Sequence, residues 1–118
     1  MVVKSYKDLI IWKRSMDMVE FIYHITEHFP AKENFGLISQ MRRAAVSVPS
    51  NIAEGYGRQS SGSYAQFLLI ARGSLFELET QLEVCIRLNY LQKQDSEKLL
   101  AEIVEISKMI SSLISKIH

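Results

Sequence analysis

The chain has 118 residues, of which 47% are hydrophobic and 23% are charged, a composition typical of a single folded domain of about this length. Its 14 lysines and arginines nearly balance 13 aspartates and glutamates, so the net charge of +1 gives no overall attraction to nucleic acid or to an anionic membrane. A single cysteine, Cys85, excludes an intrachain disulfide and a thiolate-rich metal site.

The first predicted helix covers about residues 6–28. Ser5 and Asp8, three residues apart, have the spacing of a capping box at its start. Apolar residues then recur at alternating spacings of three and four, which predicts one inward-facing stripe. The predicted stripe consists of Leu9, Trp12, Met16, Val19, Tyr23 and Thr26.

The second predicted helix covers about residues 36–58 and contains a proline. Pro49 removes one backbone N–H and crowds the preceding turn, which predicts a kink. The alternative is two shorter helices, the second capped by Asn51 with Glu54 three residues later. The predicted inward stripe of this segment consists of Ile38, Met41, Ala45, Val48 and Ile52.

The third and fourth predicted helices cover about residues 63–91 and 95–117, with Ser63 and Asp95 as N-caps. Four amphipathic helices joined by short connections predict an all-α, antiparallel up-down-up-down bundle. The third stripe consists of Tyr64, Leu68, Ala71, Leu75, Leu78, Leu82 and Cys85. The fourth consists of Leu99, Ile103, Ile106, Ile110, Leu113 and Ile117.

Large apolar residues also fall outside these stripes. Soluble monomers rarely leave such clusters uncovered, so the pattern predicts self-association through Ile11, Met18, Phe21, Leu69 and Phe76. The alternative is that the stripe is displaced by one position on one helix. The outward set on the first helix consists of Ile10, Ile11, Met18, Phe21 and Ile25, and on the third of Leu69, Ile70, Phe76 and Val84.

The cellular compartment is predicted from the expected absence of a signal peptide and of a membrane-spanning segment. Lys13 and Arg14 interrupt the apolar run after the basic N-terminus, so we expect no signal peptide. No segment approaches the roughly 18 uncharged apolar residues that span a bilayer. With one cysteine, these features favour the cytoplasm and no membrane contact.

The motifs of catalytic sites are incomplete in this sequence. His24, Glu27 and His28 spell the H-x-x-E-H pattern of some zinc proteases, but no third ligand is indicated, and histidines near a helix C-terminus also interact well with its dipole. A Glu-x-x-His pair on each of two helices, which a di-iron bundle requires, does not occur. Gly55 and Gly57 lack the lysine of a phosphate-binding loop, and Cys85 lies on the core stripe. We therefore expect no enzymatic activity, no metal and no cofactor.

Residues 30–62 contain a local excess of basic charge, with four basic residues and two acidic ones. Arg42, Arg43 and Arg58 are the candidates for contact with nucleic-acid phosphates. The alternative is a solvated helix face with ion pairs. On the third helix, Arg72 and Glu79 share one flank and are candidates for a partly buried network.

Three stretches resemble a known family: residues 42–55 (RRAAVSVPSNIAEG), residues 71–74 (ARGS) with 77–79 (ELE), and the opening residues 6–12 (YKDLIIW). They are similar to the four-helix bundle family named for the intervening sequences of bacterial 23S rRNA genes. The resemblance implies a bacterial source, a closed ring of five bundles and no catalytic residues, and it marks Pro49, Asn51, Glu54, Arg72 and Glu79 as motif positions.

A related group, the accessory proteins of diversity-generating retroelements, forms similar rings with strongly basic surfaces that bind nucleic acid and a reverse transcriptase. This chain is nearly neutral and departs from that pattern. The leading hypothesis is a non-enzymatic, ring-forming protein whose partner is RNA, DNA or a nucleic-acid enzyme. The rival is a protein–protein scaffold in which the same arginines form ion pairs.

Overall fold

The computed structural model describes residues 2–117, which contain four α-helices and no β-strand. The prediction of an all-α fold is therefore confirmed. Met1 and His118, the two ends of the predicted domain, lie outside the described residues. The helices are α1 (Ile10–Thr26), α2 (Leu37–Tyr56), α3 (Ser61–Arg87) and α4 (Lys93–Ile117), and short 3-10 helices at Tyr6–Asp8 and Ala31–Glu33 precede α1 and α2. None of the four combines the length and apolar character needed to cross a bilayer.

The start of α1 differs from the prediction. The capping box is present, because Ser5 Oγ accepts a hydrogen bond from the Lys7 N–H at 3.2 Å and Asp8 Oδ2 accepts one from the Ser5 N–H at 3.3 Å. This capping box stabilises the start of the 3-10 helix Tyr6–Asp8 and not the start of α1. Leu9 is extended, with ψ of 130°, and this break delays α1 to Ile10.

Helix α3 begins and ends earlier than predicted. Ser60 is the N-cap, and its Oγ accepts a hydrogen bond from the Ser63 N–H at 3.1 Å. At the other end Asn89 adopts a left-handed conformation with φ of 59°, and the Tyr90 N–H donates to the Cys85 carbonyl at 3.0 Å. This six-residue bond is the Schellman arrangement that ends a helix, so α3 stops at Arg87.

Helix α4 begins two residues before the predicted N-cap. Asp95 lies in its first turn, where a carboxylate still interacts favourably with the helix dipole.

Helix α2 is continuous through Pro49. The alternative of two shorter helices is therefore wrong, while the kink stays a prediction. Asn51 does not cap a helix: its Nδ2 donates to the Ser47 carbonyl at 2.8 Å and to Ser47 Oγ at 3.0 Å, inside the turn that Pro49 interrupts.

The helices pack in chain order around one core. Each contacts its sequence neighbours and α4 also contacts α1, whereas within residues 2–117 α1 does not contact α3 and α2 does not contact α4. The contact between α2 and α3 is the most extensive, and that between α1 and α4 is the least. The bundle thus has four sides, of which the α1–α4 side has the smallest contact between helices.

The predicted stripes of α2, α3 and α4 lie in the core. All five α2 residues are buried, and so are all α3 stripe residues except Tyr64, which is half-buried. In α4 the first four predicted residues are buried, whereas Leu113 and Ile117 are half-buried beside the core.

The predicted frame of α1 is wrong. Ile11, Met18 and Ile25, which were expected to face outward, are buried, whereas Met16 and Tyr23, expected to face inward, are each 40% exposed. The true stripe also contains Ser15, which is fully buried because its Oγ donates to the Ile11 carbonyl at 2.6 Å. Ser15 thus interrupts the apolar pattern of the sequence although its side chain is buried in the core.

This correction reduces the residues available for self-association. Ile11 and Met18 belong to the chain's own core and are unavailable to a partner. Phe21 is half-buried, with the Lys98 ammonium 4.4 Å from its ring centroid. Leu69 and Phe76 are 41% and 54% exposed, so the frame predicted for α3 is confirmed.

Candidate functional site

Arg42 is held by the end of α1. Its Nε donates to Thr26 Oγ1 at 3.0 Å, its Nη2 donates to the Tyr23 carbonyl at 3.3 Å, and its guanidinium carbon lies 4.5 Å from the Tyr23 ring centroid. The last four carbonyls of a helix lack partners within it, so an arginine from the next helix satisfies one of them. Arg42 therefore joins α1 to α2 and has limited freedom to reach a ligand.

Arg43 has a different environment. Its side chain is exposed and forms neither an ion pair nor a side-chain hydrogen bond with residues 2–117. It borders an open concavity of 460 Å³ between α1 and α2, here called the Arg43 concavity. No carboxylate contributes to this surface. Its walls consist of Tyr23, Asn34, Ile38, Ser39, Arg42, Arg43 and Val46.

Arg58 lies at the opposite end of α2 from this concavity. Fifteen residues separate it from Arg43, which corresponds to about 22 Å along a helix axis. Its Nη2 donates to Glu54 Oε1 at 2.6 Å, and its guanidinium carbon lies 4.6 Å from the Phe67 ring centroid. The three predicted phosphate contacts thus do not form one patch, and two of them already have partners.

Arg72 and Glu79, the candidates for a partly buried network on one flank of α3, do not pair with each other. Arg72 Nη1 donates instead to Ser111 Oγ on α4 at 3.0 Å, and Glu79 is exposed. Seven helical residues separate the two, about 10 Å along the axis, which is too far for an ion pair. Ion pairs between helices are formed instead by Arg14 of α1, with Glu102 at 2.8 Å and Glu105 at 4.0 Å on α4.

A polar cluster lies between α2 and α3. Ser74 Oγ donates to Ser47 Oγ at 2.9 Å, and Asn51 also donates to Ser47. Small side chains here allow α2 and α3 to approach closely, and the hydrogen bonds satisfy the polar groups that this approach covers. The surroundings of Asn51 and Pro49 are therefore those of helix packing, and neither residue faces a cavity with catalytic groups.

The histidines of the H-x-x-E-H pattern are both exposed on α1 or just beyond it. They border an open surface that includes Asp95 of α4. Among residues 2–117 no three histidine, cysteine, aspartate or glutamate side chains are placed to hold one metal ion.

Cys85 is fully buried, and its Sγ donates to the sulfur of Met41 at 3.5 Å. Burial, followed by the nearby charge of Glu33, raises the pKa of the Cys85 thiol from 9.0 to about 11. At pH 8 the thiolate fraction falls about a hundredfold, because each pKa unit changes it about tenfold.

We therefore expect Cys85 of the folded protein to react with an aromatic disulfide reagent at pH 8 at least about a hundredfold more slowly than after unfolding in guanidinium. The absorbance of the released thiolate measures both rates. Equal rates in the two states would show that the thiol is accessible and ionised.

The sequence indicated Arg42 and Arg43 as candidate contacts, but not the polar and aromatic residues that line the concavity with them. Tyr23, Asn34 and Ser39 come from α1, the α1–α2 connection and α2, and no local pattern joins them. Tyr23 had been placed in the core by the displaced frame of α1. The one available signal was its position near the helix C-terminus, where an aromatic ring and free carbonyls attract an arginine.

Comparisons with known proteins agree with this architecture. A crystal structure of a protein of unknown function from the S23 ribosomal protein family of Bacteroides thetaiotaomicron superposes with a TM-score of 0.83 at 25% sequence identity, covering 89% of this chain and 98% of that one. No curated protein matches. The sequence profile of the 23S rRNA-intervening sequence protein family matches residues 7–112. Because this match spans nearly all four helices, the chain belongs to the 23S rRNA-intervening sequence protein family.

Proposed function

We propose that this protein is a non-catalytic, ring-forming four-helix bundle, with helices running alternately up and down, that binds single-stranded RNA through the Arg43 concavity. The observation that carries the proposal is an exposed arginine without an ionic partner, on a concave surface that no carboxylate lines. The family is named for 23S rRNA sequences, which makes rRNA fragments the first probe.

The chemistry of the concavity suits a phosphate and a base. The Arg43 guanidinium offers several N–H donors to phosphate oxygens, and Asn34 and Ser39 add uncharged donors. The Tyr23 ring is 40% exposed, and Arg42 covers one of its faces. An aromatic ring beside a basic group is the usual platform on which single-stranded bases stack.

Assembly would multiply this modest site. One arginine per subunit binds RNA weakly, whereas a ring presents the same concavity once per subunit to one RNA strand. The resemblance to the family implies five subunits. A nearly neutral chain can thus bind nucleic acid without a large basic surface.

The test is a titration of fluorescently labelled single-stranded rRNA fragments, followed by anisotropy at salt concentrations from about 50 to 200 mM. We expect binding that weakens as salt increases. Arg43→Gln should reduce the affinity at least several-fold and lower the slope of log affinity against log salt, because phosphate contacts are lost.

Arg58→Gln is the matched control. It makes the same chemical change on the same segment, but Glu54 already compensates the Arg58 charge. We expect the affinity of this variant to stay within about twofold of the wild type, since exposed ion pairs contribute little. Equal losses for both variants would contradict a specific role of the Arg43 concavity.

A protein–protein scaffold is the second candidate function. It is favoured by the partners of Arg42 and Arg58 within the chain and by the net charge of +1. Absence of RNA binding at the lowest salt concentration, in a protein that still assembles, would support the scaffold and overturn the RNA proposal.

A further inference from the structure

The outer surface of α3 carries an acidic and apolar ridge. Leu69, Gly73, Phe76, Glu79 and Glu83, here called the α3 ridge, follow one another at spacings of three and four and therefore lie on one face. All five are exposed. Glu79 forms no ion pair with residues 2–117, and Glu83 pairs with Arg87 of the same helix at 3.4 Å.

Gly73 in this ridge is not explained by packing within the chain. A Cβ at this position would meet nothing within 4 Å, although glycine inside a helix is less favourable than alanine. Gly55 shows the opposite situation, because a Cβ there would lie 2.9 Å from Phe67 Cβ. A glycine with free space above it suits a surface that another helix approaches closely.

A basic and apolar groove lies on the α1–α4 side of the bundle. Its lining includes the apolar residues Leu9, Ile10, Met109 and Leu113 and the basic residues Lys13, Lys108 and Lys116, here together called the lysine groove. Its volume is 640 Å³. The three lysines have no ion-pair partner within residues 2–117.

Asp8, the one carboxylate of this groove, is already engaged. Its Oδ2 accepts hydrogen bonds from the backbone N–H groups of Lys4 and Ser5 at 2.8 and 3.3 Å. With three lysines and one carboxylate in its lining, the groove has a net positive charge beside its apolar residues.

We infer that the α3 ridge of one copy docks in the lysine groove of the next copy. Both surfaces are apolar at the centre, and their charges are opposite. Within one chain the two surfaces are not paired with each other, because all five ridge residues are exposed and none of them lines the groove. Two different complementary surfaces on one subunit produce head-to-tail association, the kind that generates rings.

The dimensions are compatible with this pairing. Along α4 the groove extends from Lys108 to Lys116, about 12 Å at the rise of an α-helix. That length accommodates about two helical turns, enough for Phe76 together with Glu79 and Glu83. Phe76 is the expected anchor, because aromatic residues in desolvated pockets dominate interface energetics.

This inference rests on the proposed ring and names its contact. Two variants test it. Phe76→Glu blocks the ridge, and the double variant Ile10→Glu, Lys108→Glu blocks the groove; all three side chains are exposed, so the fold should persist, as circular dichroism would verify. By light scattering, each variant alone should be a monomer of 13.6 kDa, whereas the wild type should be an oligomer.

An equimolar mixture of the two variants is the decisive sample. Each supplies the surface that the other lacks, so the mixture should form a dimer and stop there, because the remaining ridge and groove both carry added acid. Leu100→Glu is the matched control: it adds the same charge to an exposed apolar side chain of α4 that belongs to neither surface, and this variant should assemble.

Three results would overturn the pairing, and they are distinguishable. A monomeric wild type removes the proposed ring and the ridge–groove contact with it. An oligomeric wild type whose two blocked variants also remain oligomeric overturns the contact alone. Monomeric variants that fail to form a dimer when mixed show that the interface is not head-to-tail.

Discussion

Replacing Leu78 with alanine is expected to lower the free energy of unfolding by about 2–5 kcal/mol, the usual cost of removing a fully buried leucine side chain. Leu78 is 0% exposed and lies on α3, which contacts both α2 and α4. The loss combines the transfer of apolar groups to water with a cavity that tightly packed neighbours cannot fill. Small domains have only about 5–15 kcal/mol in total, so the variant should be much less resistant to urea.

Leu100→Ala is the control for this substitution. The chemical change is the same, but Leu100 of α4 is 40% exposed, and we expect a loss below about 1 kcal/mol. Urea unfolding monitored by circular dichroism, at one fixed protein concentration, gives both values. Similar losses for the two leucines would contradict the position of Leu78 at the centre of the core.

Gly55→Ala is expected to destabilise the protein by about 1–3 kcal/mol, although alanine is the better helix former. The added Cβ would lie 2.9 Å from Phe67 Cβ and 3.0 Å from Tyr64 Cδ1, and both are close to the α3 backbone. Helix α3 would have to move away from α2 at this position. Thermal unfolding should therefore show a lower midpoint than for the wild type.

Gly73→Ala is the matched control and should have the opposite sign. A Cβ at this position meets nothing within 4 Å, so only the gain in helix propensity remains, about 0.5–1 kcal/mol. Measuring it in the Phe76→Glu background separates this gain from any effect on assembly. Destabilisation by Gly73→Ala in that background would show that α3 packs more tightly within the chain than described here.

The third helix could be predicted well because its pattern has one interpretation. Leu68, Ala71, Leu75, Leu78 and Leu82 form a continuous apolar stripe, and all are buried. Its end was missed, since the left-handed conformation of Asn89 depends on a local bond between Tyr90 and Cys85 rather than on periodicity.

The first helix was predicted less well because it is apolar around much of its circumference. Two stripes one position apart are then both plausible, and the neighbouring helices decide between them. The buried stripe contains Ser15, whose hydroxyl bonds to the turn before it, so the correct stripe looked less apolar than the wrong one. The self-association residues Ile11 and Met18 were assigned wrongly for the same reason.

The candidate site could be predicted only in part. The sequence singled out the arginines, but a sequence does not show which charges are compensated. Arg42 donates hydrogen bonds to the end of α1, and Arg58 pairs with Glu54 one turn earlier, so of these three arginines only Arg43 has no side-chain partner within residues 2–117. The lysine groove joins residues from the two ends of the chain and has no local pattern at all.

The four sides of the bundle have helix contacts of unequal extent, which determines where a subunit is expected to open transiently. Helices α2 and α3 share the most extensive contact and a connection of only four residues. Helices α1 and α4 share the least extensive contact, which includes the ion pair between Arg14 and Glu102. Transient opening begins where the fewest contacts must be broken, which is between the first and last helices. A neighbouring subunit seated in the lysine groove would contact both α1 and α4, so assembly should oppose this opening in each subunit.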